Sequence, residues 1–89
     1  MDVAPQPSTK AAPEYPRAAR ELRQEGTVVL RVLVSETGAV EQVEVDSGTS
    51  FRQLREEALR AVRRWRYEPA LEQGVRVRVW ITEQVTFKL

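Results

Sequence analysis

The sequence predicts an α+β domain in which a three-stranded antiparallel sheet carries two helices on one face. Three patterns support this fold class: a nearly continuous β-branched and apolar run at residues 27–35, an amphipathic helical stripe at residues 51–66, and regular apolar alternation over residues 75–89. The predicted order along the chain is helix, strand, strand, helix, strand. The chain has 89 residues, which is enough for one domain with a thin core.

The first residues have the composition of a tether. Pro5, Pro7 and Pro13 lie among small and polar residues, which favours an extended, solvated segment. We therefore divide the chain into a proline-rich linker end, residues 1–14, and a folded domain, residues 15–89.

Two helices are predicted in the folded part. The first is short and begins at Tyr15 and Pro16, because proline suits the first helical position. The second begins near Ser50 and Gln53, which have capping-box spacing, and runs to about Arg66. One face of this second helix is apolar and is predicted to face the core. That face comprises Phe51, Leu54, Ala58, Ala61, Val62 and Trp65.

The first two strands form a predicted antiparallel hairpin. Residues 27–35 are apolar at nearly every position, which is typical of a central strand that is covered on much of both faces. Residues 40–46 alternate between apolar and polar and pair with the first strand. Val40 falls outside this alternation, so we expect a β-bulge near Glu41.

The last strand is predicted over residues 75–89, with an apolar residue at every second position except at Glu83. Fully extended, it would be about 50 Å long. A domain of this size has a radius of gyration of only about 12 Å. We therefore expect the strand either to break, near Glu83, or to run past the end of its sheet. The sheet order 2-1-3 makes the most apolar strand central and leaves the last strand at an edge.

The residue types present exclude several classes of site. The chain contains no cysteine and no histidine, which excludes disulfides, Cys/His zinc sites and histidine-dependent catalysis. Its carboxylates fall in turns, in loops and on outer strand faces, where they are usually only solvated. We therefore predict a protein that is not an enzyme and that has no cofactor and no metal.

An arginine-rich helix leaves one alternative open. Residues 51–66 carry six arginines and two glutamates, so this helix could lie along phosphate groups. The spacing of Arg52, Glu56 and Arg60 instead favours ion pairs within the helix. We consider a solvated basic face the better interpretation, predict no nucleic-acid partner, and keep a nucleic-acid-binding module as the weaker alternative.

The strongest physical signal is the edge formed by the last strand. Exposed strand edges are normally blunted because they template pairing with other chains. This strand contains no proline and no glycine, and its only edge charges are Arg76, Arg78 and Lys88. Such an edge favours β-augmentation by an extended peptide of another protein. Trp80 falls on the face opposite the valines and is predicted to lie on the bare face of the sheet.

The motifs together resemble one known family, the TonB C-terminal domain, over residues 15–89. They are Tyr15-Pro16, Glu25-Gly26-Thr27-Val28, Gly38-Ala39-Val40-Glu41-Gln42-Val43, Asp46-Ser47-Gly48, Ala58-Leu59 and Arg63-Arg64-Trp65-Arg66-Tyr67-Glu68-Pro69. The last of these, which follows an amphipathic helix, is the most specific. The order and spacing of the others strengthen the match.

The resemblance implies a periplasmic domain of a TonB-like energy transducer. Such a domain captures the TonB box of an outer-membrane transporter by β-strand addition and transmits inner-membrane-derived force for the import of substrates such as siderophores. The implied partners are a TonB-dependent outer-membrane transporter and the ExbB–ExbD motor. The motor would be reached through a single N-terminal helix, anchored in the inner membrane, that this chain lacks.

The candidate partner-binding residues come from two sources. Tyr15 and Pro16 match family positions close to the peptide. The edge strand adds Arg76, Arg78, Val79, Trp80, Ile81, Thr82 and Gln84. Two other possibilities remain: a TolA-like envelope scaffold domain, and a strand-exchanged homodimer, which the long and regular last strand favours.

Overall fold

The fold is described here from a computed structural model covering residues 2–89; Met1, which belongs to the predicted linker, lies outside the described residues. The helices are α1 (Arg17–Glu21) and α2 (Arg52–Val62). The strands are β1 (Gln6–Thr9), β2 (Gly26–Val34), β3 (Val40–Gly48), β4 (Arg66–Glu68), β5 (Ala70–Glu72), β6 (Val75–Val77) and β7 (Val79–Phe87).

The main sheet is antiparallel and has the order β3-β2-β7, which confirms the predicted arrangement 2-1-3. β2 is central because its apolar side chains are the ones that lose most contact with water. Val28, Leu30, Val32 and Val34 are all fully buried. Burying a side chain of this kind stabilises the fold by about 1.5–3 kcal/mol.

The predicted bulge in the β2–β3 hairpin is confirmed. Val34 pairs with Val40 and Leu33 pairs with Gln42, so Glu41 is the extra residue. A second shift, which was not predicted, follows further along, where Leu30 pairs with Val45.

The apolar stripe of α2 is confirmed except at its first residue. Leu54, Ala58, Ala61 and Val62 are buried in the helix. The prediction for Phe51 was wrong, because this side chain is 39% exposed. Phe51 precedes the first helical turn with extended backbone, so it does not share the helical periodicity.

The start and the end of α2 also differ from the prediction. No capping box forms at Ser50, because the helix begins one residue later, with Phe51 at the N-cap and no side chain capping it. The hydroxyl of Thr49 accepts a hydrogen bond from the amide of Phe51 at 3.2 Å. The helix ends at Val62, and Arg66 already belongs to β4. Trp65, just past the helix, is only 2% exposed and completes the predicted core.

The long last strand breaks at Arg78, and the predicted break at Glu83 was wrong. β7 runs through Glu83 without interruption and ends its pairing with β2 at the pair Val34–Val79. β6 lies beyond the end of β2 and pairs with β5 instead. The two-residue turn between β5 and β6 consists of Gln73 and Gly74. Both have positive φ, as a type I′ hairpin turn requires. The molecule is therefore long, with a longest extent of 49 Å and a radius of gyration of 14.1 Å.

The segment predicted to be a solvated linker is extended and its side chains are mostly exposed, but its backbone is paired. In β1, Gln6 lies opposite Glu68 and Pro7 opposite Tyr67. Further upstream, the amide of Val3 donates to the carbonyl of Leu71 at 3.1 Å. Composition alone did not indicate this pairing, because it depends on the open edges that β4 and β5 offer. We call residues 2–13 the N-terminal strap.

Candidate functional site

The outer edge of β7 is the candidate site. β7 pairs with β2 through nine consecutive residue pairs, from Gly26–Phe87 to Val34–Val79, and no register shift interrupts them. Within residues 2–89, no strand pairs with the other side of β7. A straight edge of this length can accept another strand.

The hydrogen bonds of β2 decide which residues of β7 face this open edge. The carbonyl of Thr27 accepts from the amide of Thr49 at 2.8 Å, and the amide of Ser35 donates to the carbonyl of Ala39 at 2.9 Å. Both bonds lie on the β3 side of β2. Because backbone groups alternate between the two sides of a strand, the odd-numbered residues of β2 bond towards β3 and the even-numbered ones towards β7.

The register then assigns the backbone groups of β7. Even-numbered residues of β2 lie opposite odd-numbered residues of β7, for example Val32 opposite Ile81 and Val28 opposite Val85. The backbone N–H and C=O groups of the odd-numbered residues of β7 are therefore hydrogen-bonded to β2. The residues that direct N–H and C=O groups to the open edge are Trp80, Thr82, Gln84 and Thr86.

The face of the sheet away from the helices carries an aromatic residue beside this edge. Trp80 is 38% exposed and lies opposite Leu33 in the pairing. The guanidinium of Arg31 lies 4.7 Å from the ring centroid of Trp80 and also pairs with Glu44 of β3 at 3.2 Å. This places Trp80 on the bare face, as predicted from the alternation.

On the helix face of β7, Glu83 occupies an inward position among apolar residues. Its carboxylate accepts a hydrogen bond of 2.6 Å from the hydroxyl of Tyr67 and lies 3.4 Å from the ammonium of Lys10. Burial, together with the hydrogen bond to Glu83, raises the pKa of Tyr67 above the usual tyrosine value. These partners explain why the alternation is interrupted at Glu83 without breaking the strand.

A groove runs between the strap and β7. It has a volume of about 220 Å³, and its lining includes Ala11, Ala12 and Pro13 of the strap, Val85 of β7, and Trp65. The indole N–H of Trp65 donates to the carbonyl of Ala11 at 2.9 Å, which holds the strap beside the groove. A strand added to β7 would place alternate side chains on this apolar side.

Tyr15 and Pro16 lie near the far end of β7. The ring of Tyr15 packs edge-on against Phe87, with centroids 5.6 Å apart, and its hydroxyl donates to the carbonyl of Gln24. Pro16 is the residue immediately before α1. The contact of Tyr15 with Phe87 holds the chain segment that follows the strap against the end of β7.

The structure divides the predicted edge residues into two groups. Trp80, Thr82 and Gln84 share the open edge, and reasoning from the sequence missed Thr86, which alternation along the strand could have identified. Val79 and Ile81 use their backbone groups for β2, and both side chains are half-buried.

The two arginines of the candidate set lie outside this group. Arg76 is exposed on β6, beyond the end of the main sheet. The guanidinium of Arg78 lies 3.7 Å from the carboxylate of Glu41 on β3, so its charge is directed to the opposite edge of the sheet.

The arginine-rich face of α2 is partly neutralised; the predicted i,i+4 pairing is found for Arg52, whereas Arg60 pairs with Glu57 instead of Glu56. Arg52 pairs with Glu56 at 2.7 Å and Arg60 pairs with Glu57 at 2.8 Å. In residues 2–89, no group of three or more acidic side chains could hold a metal ion, and no helix is long and apolar enough to cross a membrane.

Comparison with solved structures supports the fold. The chain superposes on the solution NMR structure of the Pseudomonas aeruginosa TonB C-terminal domain with a TM-score of 0.81 and 27% identity, covering 99% of this chain and 89% of that one.

Similar sequences are TonB proteins. Protein TonB2 of Pseudomonas aeruginosa is 36% identical over 78 residues, covering 88% of this chain and 29% of that protein. TonB of Escherichia coli is 37% identical over 65 residues, covering 73% and 27% respectively. TonB of Vibrio cholerae is 32% identical over 82 residues, covering 92% and 34%. The chain therefore spans about a third or less of the length of these relatives.

A family model described as Gram-negative bacterial TonB protein C-terminal matches residues 11–89, and the match begins within the residues assigned to the linker. The resemblance seen in the sequence motifs is thereby confirmed. Domains of this family are periplasmic and non-catalytic. The chain belongs to the family of Gram-negative bacterial TonB C-terminal domains.

Proposed function

We propose that this domain captures the TonB box of an outer-membrane transporter, as an extended peptide added to the outer edge of β7. The observation that carries the proposal is the unshifted edge, in which four alternate residues turn their backbone groups outward. These residues are Trp80, Thr82, Gln84 and Thr86. Main-chain bonds of this kind supply affinity with little dependence on sequence.

Selectivity would come from side chains on the two faces of the added strand. On one face, alternate side chains of the peptide meet the ring of Trp80 and the polar residues beside it. On the other, they enter the groove over Trp65, which favours apolar groups because three small apolar strap residues and Val85 line it. The expected ligand therefore alternates between apolar and less apolar residues.

A strand-addition site also suits the transmission of force. A peptide paired along β7 and pulled along its length loads several hydrogen bonds together, and no catalytic group is required. In the proposed transducer, the load originates in the ExbB–ExbD motor and reaches this domain from an inner-membrane anchor on the N-terminal side of the chain. Substrate import, including siderophore transport, would follow from remodelling of the transporter.

The test is an NMR titration of the ¹⁵N-labelled chain with a TonB-box peptide from a transporter of the same organism. We expect the largest amide shifts at the outward residues Trp80, Thr82, Gln84 and Thr86. Thr82→Pro removes one outward N–H and should weaken binding by at least about tenfold, which corresponds to about 1.4 kcal/mol. Thr82→Ala is the matched control, because it keeps the N–H and should bind nearly normally.

Proline at Val79 or Ile81 would be a poorer test, because the N–H groups of these residues are directed to β2 and their loss would damage the sheet itself. Shifts confined to β3, or normal binding by a folded Thr82→Pro variant, would contradict the proposal.

A second copy of the chain is a competing occupant of the same edge, since an open strand edge also pairs with itself. Sedimentation velocity over a range of concentrations separates the two. A strand-exchanged dimer would show a concentration-dependent mass, and added peptide would shift it towards the monomer if both use β7.

A further inference from the structure

The strap is attached to the domain by its backbone along β4 and β5. The amides of Asp2 and Val3 both donate to the carbonyl of Leu71, at 2.9 and 3.1 Å, and the amide of Leu71 donates back to Val3 at 3.0 Å. The carboxylate of Asp2 also accepts from the amide of Gln73. β1 continues the pairing along β4. The first residues of the strap are thus held by β4 and β5, outside the main sheet.

Lys10 is where the strap reaches β7. Its ammonium lies 4.7 Å from the ring centroid of Trp65 and 3.4 Å from the carboxylate of Glu83. The side chain of Glu83 is only 15% exposed, whereas that of Lys10 is 43% exposed. Without Lys10, this mostly covered carboxylate would keep only the hydroxyl of Tyr67 as a partner. The charge of Glu83 therefore favours the docked strap.

The residues that follow Lys10 form one wall of the groove beside β7. Ala11 is fixed by the indole N–H of Trp65, and Ala12 and Pro13 continue the wall. Among the described residues, no backbone hydrogen bond joins this wall to β7. The backbone of the strap therefore does not occupy the hydrogen-bonding edge of β7.

We propose that the docked strap completes the peptide site, with Lys10 as the positioning residue that holds the groove wall against β7. This inference rests on the proposed function. An added strand lies between β7 and the wall, so its inward side chains are covered on both sides only while the strap is docked. Release of the strap removes that cover and lowers the affinity of the edge for the peptide. Strap docking and peptide binding are then coupled, and each favours the other.

The experiment compares peptide affinity in Lys10→Ala and Arg55→Ala by isothermal titration calorimetry with the same TonB-box peptide. Both variants lose one positive charge, but Arg55 is exposed on α2 and is not part of the proposed site. We expect Lys10→Ala to bind about five- to tenfold more weakly and Arg55→Ala to bind normally. The melting temperature of each variant shows that it is folded at the temperature of the titration.

A disulfide staple tests whether the position of the strap is the cause. Gln6 and Glu68 are exposed and lie opposite each other in the pairing, a geometry compatible with a disulfide, and the chain has no other cysteine. In the Lys10→Ala background, oxidation of Gln6→Cys/Glu68→Cys should recover part of the lost affinity, and reduction should remove the gain.

The outcomes separate the two proposals. Normal affinity in Lys10→Ala, or no effect of oxidation, would overturn the role of the strap while leaving the edge as the site. Tighter binding in Lys10→Ala would also overturn it, since the strap would then be a competitor. Absence of binding by the unchanged chain would contradict the proposed function itself.

Discussion

The two edges of the main sheet differ in ways that determine which of them can pair. β3 contains two register shifts, at Glu41 and between Val45 and Ser47, and carries three acidic residues, Glu41, Glu44 and Asp46. β7 pairs in unbroken register, and its single charged residue, Glu83, is directed inward. Bulges and charges are the usual means of preventing a strand edge from pairing. The contrast therefore shows that β3 is a protected edge and β7 an available one.

The largest expected effect comes from removing the support beneath β7. Trp65→Ala should lower the free energy of unfolding by about 3–5 kcal/mol, because a buried aromatic side chain is lost and a cavity remains. Phe51→Ala is the matched control, since its ring is largely outside the core and the loss should stay below about 1.5 kcal/mol. Urea denaturation measures both, and equal losses would contradict the assigned burial.

The next largest loss of stability is expected for substitution of a glycine at the end of β3. Gly48 has φ of +108°, and a Cβ there would lie 2.2 Å from the carbonyl oxygen of Thr27. Gly48→Ala should therefore cost about 3 kcal/mol. Gly74→Ala has a similar positive φ but open space around the new Cβ, so it should cost only about 1 kcal/mol.

The peptide affinity of Gly48→Ala shows whether a change at the β3 edge affects β7. If the two edges act independently, folded Gly48→Ala should bind the peptide with unchanged affinity. A large loss of affinity would show that the pairing of β3 is transmitted through β2 to β7.

A third prediction uses pH to probe the inward side of β7. The raised pKa of Tyr67 means that the folded state holds this proton more tightly than the unfolded state does. The associated stability is present below the ordinary tyrosine pKa of about 10 and is lost as the pH rises above it, by up to about 1.4 kcal/mol per pH unit. Tyr67→Phe should flatten this alkaline slope in denaturation curves, and an identical slope in the variant would contradict the assignment.

The smallest expected effect is the coupling energy between residues that connect the two edges on the bare face of the sheet. Arg31 on β2 contacts both Trp80 and Glu44, so it joins the available edge to the protected one. A double-mutant cycle with Arg31→Ala and Trp80→Ala should give a coupling energy of about 0.5–1 kcal/mol, as expected for an exposed cation–π pair. A coupling near zero would leave Trp80 as an aromatic residue free to contact a ligand.

Local patterns in the sequence were sufficient to predict the main sheet. The apolar run placed β2 at the centre, and the misfit of Val40 located the bulge at Glu41. The break at Arg78 could not be read in the same way, because it depends on where β2 ends in space. The capping-box spacing at Ser50 predicted the wrong start for α2, because the helix begins one residue later, with Phe51 at the N-cap.

The candidate site was predicted only in part, for a similar reason. The predicted edge residues included Trp80, Thr82 and Gln84 together with Val79 and Ile81. Which of them direct backbone groups outward depends on the hydrogen bonds between β2 and β3. Lys10 was not identified from the sequence, because it lies in a segment with linker composition. Its proposed role rests on contacts with Trp65 and Glu83, which are distant in the sequence and which composition does not reveal.

The pairing of β7 with β2 also has a kinetic consequence. It joins residues from opposite parts of the chain, such as Gly26 with Phe87, and the pairing of β1 with β4 does the same for Gln6 and Glu68. Domains dominated by such distant contacts fold slowly, in about milliseconds to seconds. During synthesis the β2–β3 hairpin emerges before β7, while the second edge of β2 is still unpaired. The open edge of β2 must therefore pair with β7 of the same chain. Until β7 has been synthesised, this edge can pair with a strand of another chain.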